Sequence, residues 1–141
     1  MVGTKEQEKN NLKMPSYINP TAPIFSISII SEMLKVHQRT LRIYDEEGLL
    51  VPQRSDKNRR LYSLDDVERG KFIQYLTRDL GINLAGVKII SNLLNELKLT
   101  PAEFVPHLQK VAQNLNITEE DQRLKRQMLM KRGRKSKNAQ Q

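Results

Sequence analysis

Apolar positions recur every three or four residues along most of the chain after residue 23, which predicts amphipathic helices. Two of these segments are short: one lies around residues 27–34, with Ser28 as its expected N-cap, and one runs from Gln38 to Glu47 before Gly48. In the first segment we expect the inward-facing residues to be Ile27, Ile30, Met33 and Leu34. Two short helices joined by a few residues form a helix-turn-helix pattern.

A different pattern follows, in which two short extended runs flank a turn. The runs cover residues 49–54 and 59–62, and the turn between them includes Asn58, which tolerates a positive φ. Pro52 restricts the first run to an edge position of a sheet. The sequence therefore predicts a small β-hairpin with a positively charged tip.

Helical spacing returns in the second half of the chain. A capping-box signature at Ser63–Asp66 starts one helix, whose predicted buried residues are Val67, Phe72, Ile73, Leu76 and Leu80, and Asn83 caps the next. That next helix carries Leu84, Val87, Ile90, Leu93, Leu94 and Leu97 on one side. Thr100–Glu103 has the chemistry of a helix start, but Pro106 suggests that regular helix begins there. A last helix is predicted from Thr118 to about Lys131.

Charge and composition narrow the class of partner. The formal net charge is +8 and the pI is near 9.8, which fits a polyanionic partner, DNA or RNA, although a solubilising surplus remains an alternative. The chain has no cysteine, so structural disulfides, cysteine-ligated zinc and thiol redox sensing are excluded. No apolar run is long enough for a membrane and the first fifteen residues lack a signal-peptide pattern, so we expect a cytoplasmic protein with no membrane partner.

The second short helix has the chemistry of a DNA-recognition helix. Gln38, Arg39 and Arg42 share one face, because residues three and four apart are neighbours on a helix. Arginine pairs well with guanine and glutamine with adenine in the major groove. Asp45 and Glu46 would repel phosphate, which confines contact to the N-terminal half. The alternative is a solvated polar face.

The hairpin strengthens the DNA interpretation. Its cations, Arg54, Lys57, Arg59 and Arg60, cluster where they could reach a flanking phosphate or the minor groove. Tyr62 has two equally weighted roles, as a core residue or as a phosphate contact. We expect His37 to cap the second helix or touch a phosphate rather than bind metal, because no other metal ligands cluster near it.

These residues carry a family resemblance. Residues 27–69 resemble the DNA-binding domain of the MerR family through three ordered motifs, Arg39–Tyr44, Gly48–Arg54 and Arg60–Val67. Residues 27–29, His37, the Arg59–Arg60 pair and Gly81–Lys88 are most similar to the HspR-type heat-shock repressors. Many family members have glycine in place of Lys35 and Asn58 and an aromatic residue in place of Arg59, so this chain departs from the pattern at those positions.

The resemblance implies a mainly α fold: a winged helix-turn-helix with a small β-hairpin wing, followed by C-terminal dimerisation helices. It implies a homodimeric repressor that binds an inverted repeat of double-stranded DNA upstream of chaperone operons and cooperates with a chaperone or co-chaperone. The site residues it implies are Gln38, Arg39, Thr40, Arg42 and Tyr44 in the recognition helix, and Arg54, Lys57, Asn58, Arg59, Arg60 and Tyr62 in the wing.

Four segments follow from these expectations. Residues 1–23 form a flexible arm, 24–97 the MerR-type DNA-binding domain, 98–132 a helical dimerisation region and 133–141 a basic disordered tail. We expect no cofactor, no metal and no small-molecule ligand, and no arrangement of catalytic residues is apparent, so an enzyme is not expected. Alternatives that stay open are a basic RNA-associated structural protein, a protein-interaction adaptor using the apolar stripes of residues 84–97 and 108–115, and a MerR-type regulator that responds to another signal.

Overall fold

A computed structural model describes residues 18–117 and 119–139, so most of the predicted N-terminal arm lies outside the described residues. The helices are α1 (Ile27–Leu34), α2 (Gln38–Glu46), α3 (Leu64–Gln74), α4 (Leu84–Glu96), α5 (Pro101–Asn114) and α6 (Glu119–Ala139). The strands are β1 (Phe25–Ser26), β2 (Gln53–Arg54) and β3 (Arg60–Tyr62). This architecture confirms the predicted mainly helical fold with a small hairpin wing.

The sheet has one strand more than the sequence pattern indicates. Its order is β1-β3-β2 with both pairings antiparallel, so β3 is central and β2 lies at an edge. In β1, Phe25 pairs with Tyr62, and the preceding N–H of Ile24 donates to the Tyr62 carbonyl at 3.0 Å. A two-residue strand has no periodicity to detect, so only the pairing itself reveals β1.

Helix α1 begins two residues earlier than the predicted cap suggests. Ser26, not Ser28, is the N-cap, and its hydroxyl accepts from the Ile29 N–H at 3.4 Å. Ile30 and Leu34 are buried as predicted, whereas Met33 is exposed. Met33 was therefore wrongly predicted to face inward, because a helix this short packs only one narrow stripe against the core.

Helix α3 is the central support of the domain. The predicted capping box is confirmed: the Ser63 hydroxyl accepts from the Asp66 N–H at 3.1 Å, and the Asp66 carboxylate accepts from the Ser63 N–H at 2.9 Å. Gly70 lets α1 approach closely, since a Cβ at this position would overlap the Leu34 side chain. The helix continues as a π-helical turn over Tyr75–Asp79, which the sequence pattern does not indicate. Of its predicted buried residues, Val67, Phe72, Ile73 and Leu76 are buried and Leu80 only partly so.

Helices α4 and α5 both contribute to the core. The Asn83 side chain caps α4 by accepting from the Gly86 N–H at 2.9 Å, yet along the predicted apolar side only Val87 and Leu94 are fully buried. Helix α5 begins at Pro101 and contains Pro106, which corrects the expectation of a start at Pro106. Its residue Phe104 is 1% exposed and belongs to the same core as the buried residues of α1, α2 and α3. This core therefore extends past residue 97.

Helix α6 extends beyond the predicted Lys131 to Ala139, through most of the stretch expected to be a tail. It meets the end of the π-helical turn, where the Arg126 guanidinium donates to the Asp79 carbonyl at 3.1 Å. In the described part of the chain, neither α6 nor any other helix is both long and apolar enough to cross a membrane.

Candidate nucleic-acid interface

Helix α2 presents a basic face to solvent. Leu41 and Tyr44 are buried, at 0% and 8% exposure, and this fixes which side of the helix points outward. Arg39 and Arg42, three residues apart, are exposed on that side, while Gln38 and Thr40 at the first turn are half-buried. In the described residues no ion pair involves Arg39 or Arg42, so both guanidinium groups are available to a polyanion.

His37 defines the start of this helix. It has an extended backbone, with φ −70° and ψ 144°, and its Nδ1 accepts from the Arg39 N–H at 3.1 Å. Capping is one of the two roles predicted for this residue. No group of three or more histidine and acidic side chains that could hold a metal ion occurs among residues 18–117 and 119–139.

The turn between α1 and α2 is held by side chains from the end of α3 and from the π-helical turn that follows it. The carbonyl of Leu34 accepts from the Gln74 side chain, and the carbonyl of Lys35 accepts from Arg78 at 3.4 Å. Lys35 itself adopts the left-handed conformation, with φ 54°, at the position where many family members have glycine. Sequence reasoning missed Gln74 and Arg78, because both contacts join residues about forty positions apart.

The wing is a compact hairpin with an exposed tip. The Ser55 N–H donates to the Arg59 carbonyl at 2.8 Å, and the Arg59 N–H donates back to the Ser55 hydroxyl at 3.1 Å. Asn58 takes the positive φ of 61° that the turn chemistry indicates. Lys57, Asn58 and Arg59 are exposed, and no ion pair to the two cations is present in the described part of the chain.

The other two wing arginines have a different environment from the one predicted. The Asp45 carboxylate accepts from Arg60 Nε at 2.8 Å and from Arg54 Nη2 at 3.4 Å, and Arg54 Nη1 also donates to the Asn58 carbonyl at 3.2 Å. Asp45 was expected only to repel phosphate, whereas Arg54 and Arg60 were expected to contact phosphate. One carboxylate balances only one of these two positive charges, and Lys57 and Arg59 are the wing cations that have no ion pair in the described residues.

The register of the hairpin explains why an acid lies here. Arg54 and Arg60 are directly opposite each other in the β2–β3 pair. Like charges at such positions repel, and the Asp45 carboxylate, which contacts both guanidinium groups, reduces that repulsion. Two features of the sequence together could have identified Asp45. One is a hairpin register that places two arginines opposite each other, and the other is an unexplained acid at the end of a basic helix.

The two tyrosines assigned to DNA contact belong to the scaffold. Tyr62 is 0% exposed, and its hydroxyl has no hydrogen-bond partner in the described residues. Burial raises the pKa of Tyr62 to about 12, and it also raises the pKa of Tyr44, where the charge of Arg78 opposes the shift. The buried hydroxyl of Tyr62 cannot reach a phosphate, which corrects its place among the wing contacts.

An exposed basic helix after a tight turn, flanked by a basic hairpin, defines the class of winged helix-turn-helix DNA-binding domains. The model of the MerR HTH family regulatory proteins matches residues 25–94. The chain belongs to the MerR family.

Two proteins that are similar in sequence support this membership. The chain is 38% identical over 101 residues to the heat shock protein HspR of Streptomyces coelicolor, covering 70% of this chain and 67% of that protein. It is 40% identical over 68 residues to the HTH-type transcriptional regulator GlnR of Bacillus cereus, covering 48% of this chain and 52% of GlnR. A crystal structure of a MerR-family transcriptional regulator from Bacillus cereus aligns over 65% of this chain and 75% of that chain, with 25% identity and a TM-score of 0.45.

The chain thus spans two thirds of the HspR relative and about half of the GlnR relative. Its family and relatives are DNA-binding regulators of transcription and not enzymes. The chain is therefore a DNA-binding regulator of transcription.

Proposed function

We propose that the protein represses chaperone operons by binding an inverted-repeat operator as a homodimer. The observation that carries the DNA-reading part is the pair of exposed guanidinium groups, Arg39 and Arg42, on a helix whose opposite face is buried. The heat-shock part is supported by similarity to the heat shock protein HspR, which extends over 101 residues and so beyond the 25–94 match to the family model.

In this proposal the first two turns of α2 contact bases. Arg42 and Arg39 suit bidentate contact with guanine, and Gln38 suits adenine, while Thr40 lies at the margin of the same face. Lys57, Asn58 and Arg59 at the wing tip contact the flanking backbone, which fixes the orientation of the domain without selecting sequence.

Dimerisation is supported by apolar side chains that the single chain leaves exposed. Leu93 on α4 and Leu97 at its C-cap are 54% and 60% exposed, and Leu124 and Met128 on α6 are 53% and 59% exposed. In each pair the two residues are four positions apart and so share a face. Two-fold pairing through such faces would place two copies of α2 in successive major grooves, and the operator would be a pseudo-palindrome.

A chaperone or co-chaperone is the proposed regulatory partner, on the ground of the resemblance to HspR-type repressors. Its addition to a gel-shift assay on the operator should change the affinity of the protein for DNA. An unchanged titration with each chaperone of the host would remove this part of the proposal and leave a regulator that responds to another signal.

Protection footprinting on genomic DNA tests the function. We expect one discrete, two-fold symmetric protected site upstream of a chaperone operon, with higher transcription of that operon in a strain that lacks the gene. Diffuse protection, with equal or tighter binding to RNA, would favour the RNA-associated alternative. A discrete site without any change in chaperone transcripts would retain DNA recognition and reject the heat-shock assignment.

A further inference from the structure

We propose that Asp45 is a positioning residue for DNA recognition, whose carboxylate fixes the wing at a set distance from the recognition helix α2. The inference rests on the proposed function, since it assigns a role within sequence-specific binding. It reverses the simple electrostatic expectation, in which an acid on this face only weakens contact with DNA.

The geometry centres on a single oxygen. Oδ2 of Asp45, in the last turn of α2, accepts from Nε of Arg60 on β3 and from Nη2 of Arg54 on β2. The side chains of Asp45 and Arg60 are only 15% and 21% exposed, so salt screens this pair less than a surface ion pair. One carboxylate therefore ties both strands of the wing to the recognition helix.

The link continues to the tip of the wing. Arg54 donates to the Asn58 carbonyl through its second terminal nitrogen, next to the exposed Arg59. Because β2 and β3 are two and three residues long, few backbone hydrogen bonds hold the wing in place. The position of the wing cations relative to Arg42 therefore depends largely on the side-chain contacts with Asp45.

Positioning and charge predict different effects on sequence preference when the acid is neutralised. On charge alone, loss of a negative group near DNA strengthens binding to every sequence by a similar factor. Loss of positioning releases Arg54 and Arg60, which then bind any phosphate. The wing is then no longer held at a set distance from α2, so its contacts with the DNA backbone and the base contacts of α2 no longer form together at one site. Affinity for random DNA should rise and preference for the operator should fall.

The experiment compares Asp45→Asn with Glu46→Gln, which removes the same charge from the next residue of the helix. Glu46 is exposed and has no ion pair among the described residues, so it is the matched control. Each variant is titrated at several salt concentrations against the footprinted operator and a scrambled duplex. We expect Asp45→Asn to lower the specific-to-nonspecific ratio roughly tenfold and Glu46→Gln to leave it unchanged.

Partner variants keep the test valid if Asp45→Asn fails to fold. Arg60→Lys retains the charge but loses the Nε contact, and it should lower the ratio as well. Asp45→Glu keeps the charge and should restore part of the preference. A melting curve for each variant separates a change in recognition from a loss of folded protein.

The outcomes are distinguishable. If Asp45→Asn and Arg60→Lys fold and keep the wild-type ratio, as Glu46→Gln does, the positioning role is overturned while the proposed function stands. If the wild-type protein itself shows no preference for any duplex, the proposed function fails and the inference fails with it.

Discussion

The ring of Phe104 on α5 meets the ring of Phe72 on α3 edge to face, with centroids 5.2 Å apart and planes inclined by 67°. Both rings are nearly inaccessible to solvent. Since α3 supports the helix-turn-helix through Gln74, the contact joins a helix beyond residue 97 to the body of the DNA-binding domain.

Replacement of Phe104 by alanine should therefore destabilise the DNA-binding domain and not only the C-terminal helices. Loss of a buried phenylalanine costs about 3–5 kcal/mol, which urea unfolding would measure. Val111→Ala on the same helix is the control, because Val111 is 40% exposed and its loss should cost less than about 1 kcal/mol. Equal effects of the two variants would show that α5 is not part of the cooperative core.

Arg42→Ala should weaken binding to the operator by about 1–3 kcal/mol and relax base preference at one position of each half-site. The reason is that Arg42 is exposed on α2 and that the proposed function assigns its guanidinium to a base edge. Gel-shift titration with a panel of single-base operator variants measures this effect. Lys110→Ala removes the same charge from an exposed site on α5 and should leave preference intact. A parallel loss on operator and random DNA would reassign Arg42 to phosphate contact.

The wing tip should control salt dependence rather than sequence preference. Each of Lys57→Ala and Arg59→Ala removes an uncompensated cation, so each should reduce the slope of log affinity against log salt by about one. The slopes are obtained from titrations across a series of salt concentrations, with Lys110→Ala again as the control. Unchanged slopes for both variants would place the wing away from the DNA backbone.

The buried hydroxyl of Tyr62 predicts a dependence of stability on alkaline pH. Its pKa of about 12 in the folded protein exceeds the ordinary value of 10.0, because burial disfavours the phenolate. The neutral form is thus favoured in the folded state, and the stability that this contributes is present below pH 10 and is lost as pH rises from 10 towards 12.

Tyr62→Phe should lose less stability than the wild type over that interval. At neutral pH it should be as stable as the wild type or more so, by up to about 1 kcal/mol, because the hydroxyl removed has no partner among the described residues. Urea unfolding at pH 7, 10 and 11.5 compares the two proteins. Parallel losses above pH 10 would mean that the hydroxyl ionises as easily in the folded protein as in the unfolded chain.

Local chemistry in the sequence determined the elements of the site. The Ser63–Asp66 capping box, the Asn83 cap and the positive φ of Asn58 each depend on residues within a few positions of one another. The same holds for the two faces of α2, where the spacing of Leu41 and Tyr44 dictates that Arg39 and Arg42 point outward. Patterns that involve residues only a few positions apart identified both the recognition helix and the wing.

Tertiary structure alone decided which charges of the site remain free and which aromatic rings are buried. Along the sequence, Asp45 is fifteen residues from Arg60 and Gln74 is forty residues from Leu34. Phe104 contacts Phe72 although the π-helical turn and α4 lie between them in the sequence. None of these partners can be inferred from periodicity, since they are chosen by how the helices and the hairpin pack. The sequence by itself thus determined that a basic helix and a basic wing exist, and packing determined that Asp45 joins them and that Lys57 and Arg59 have no ion pair in the described residues.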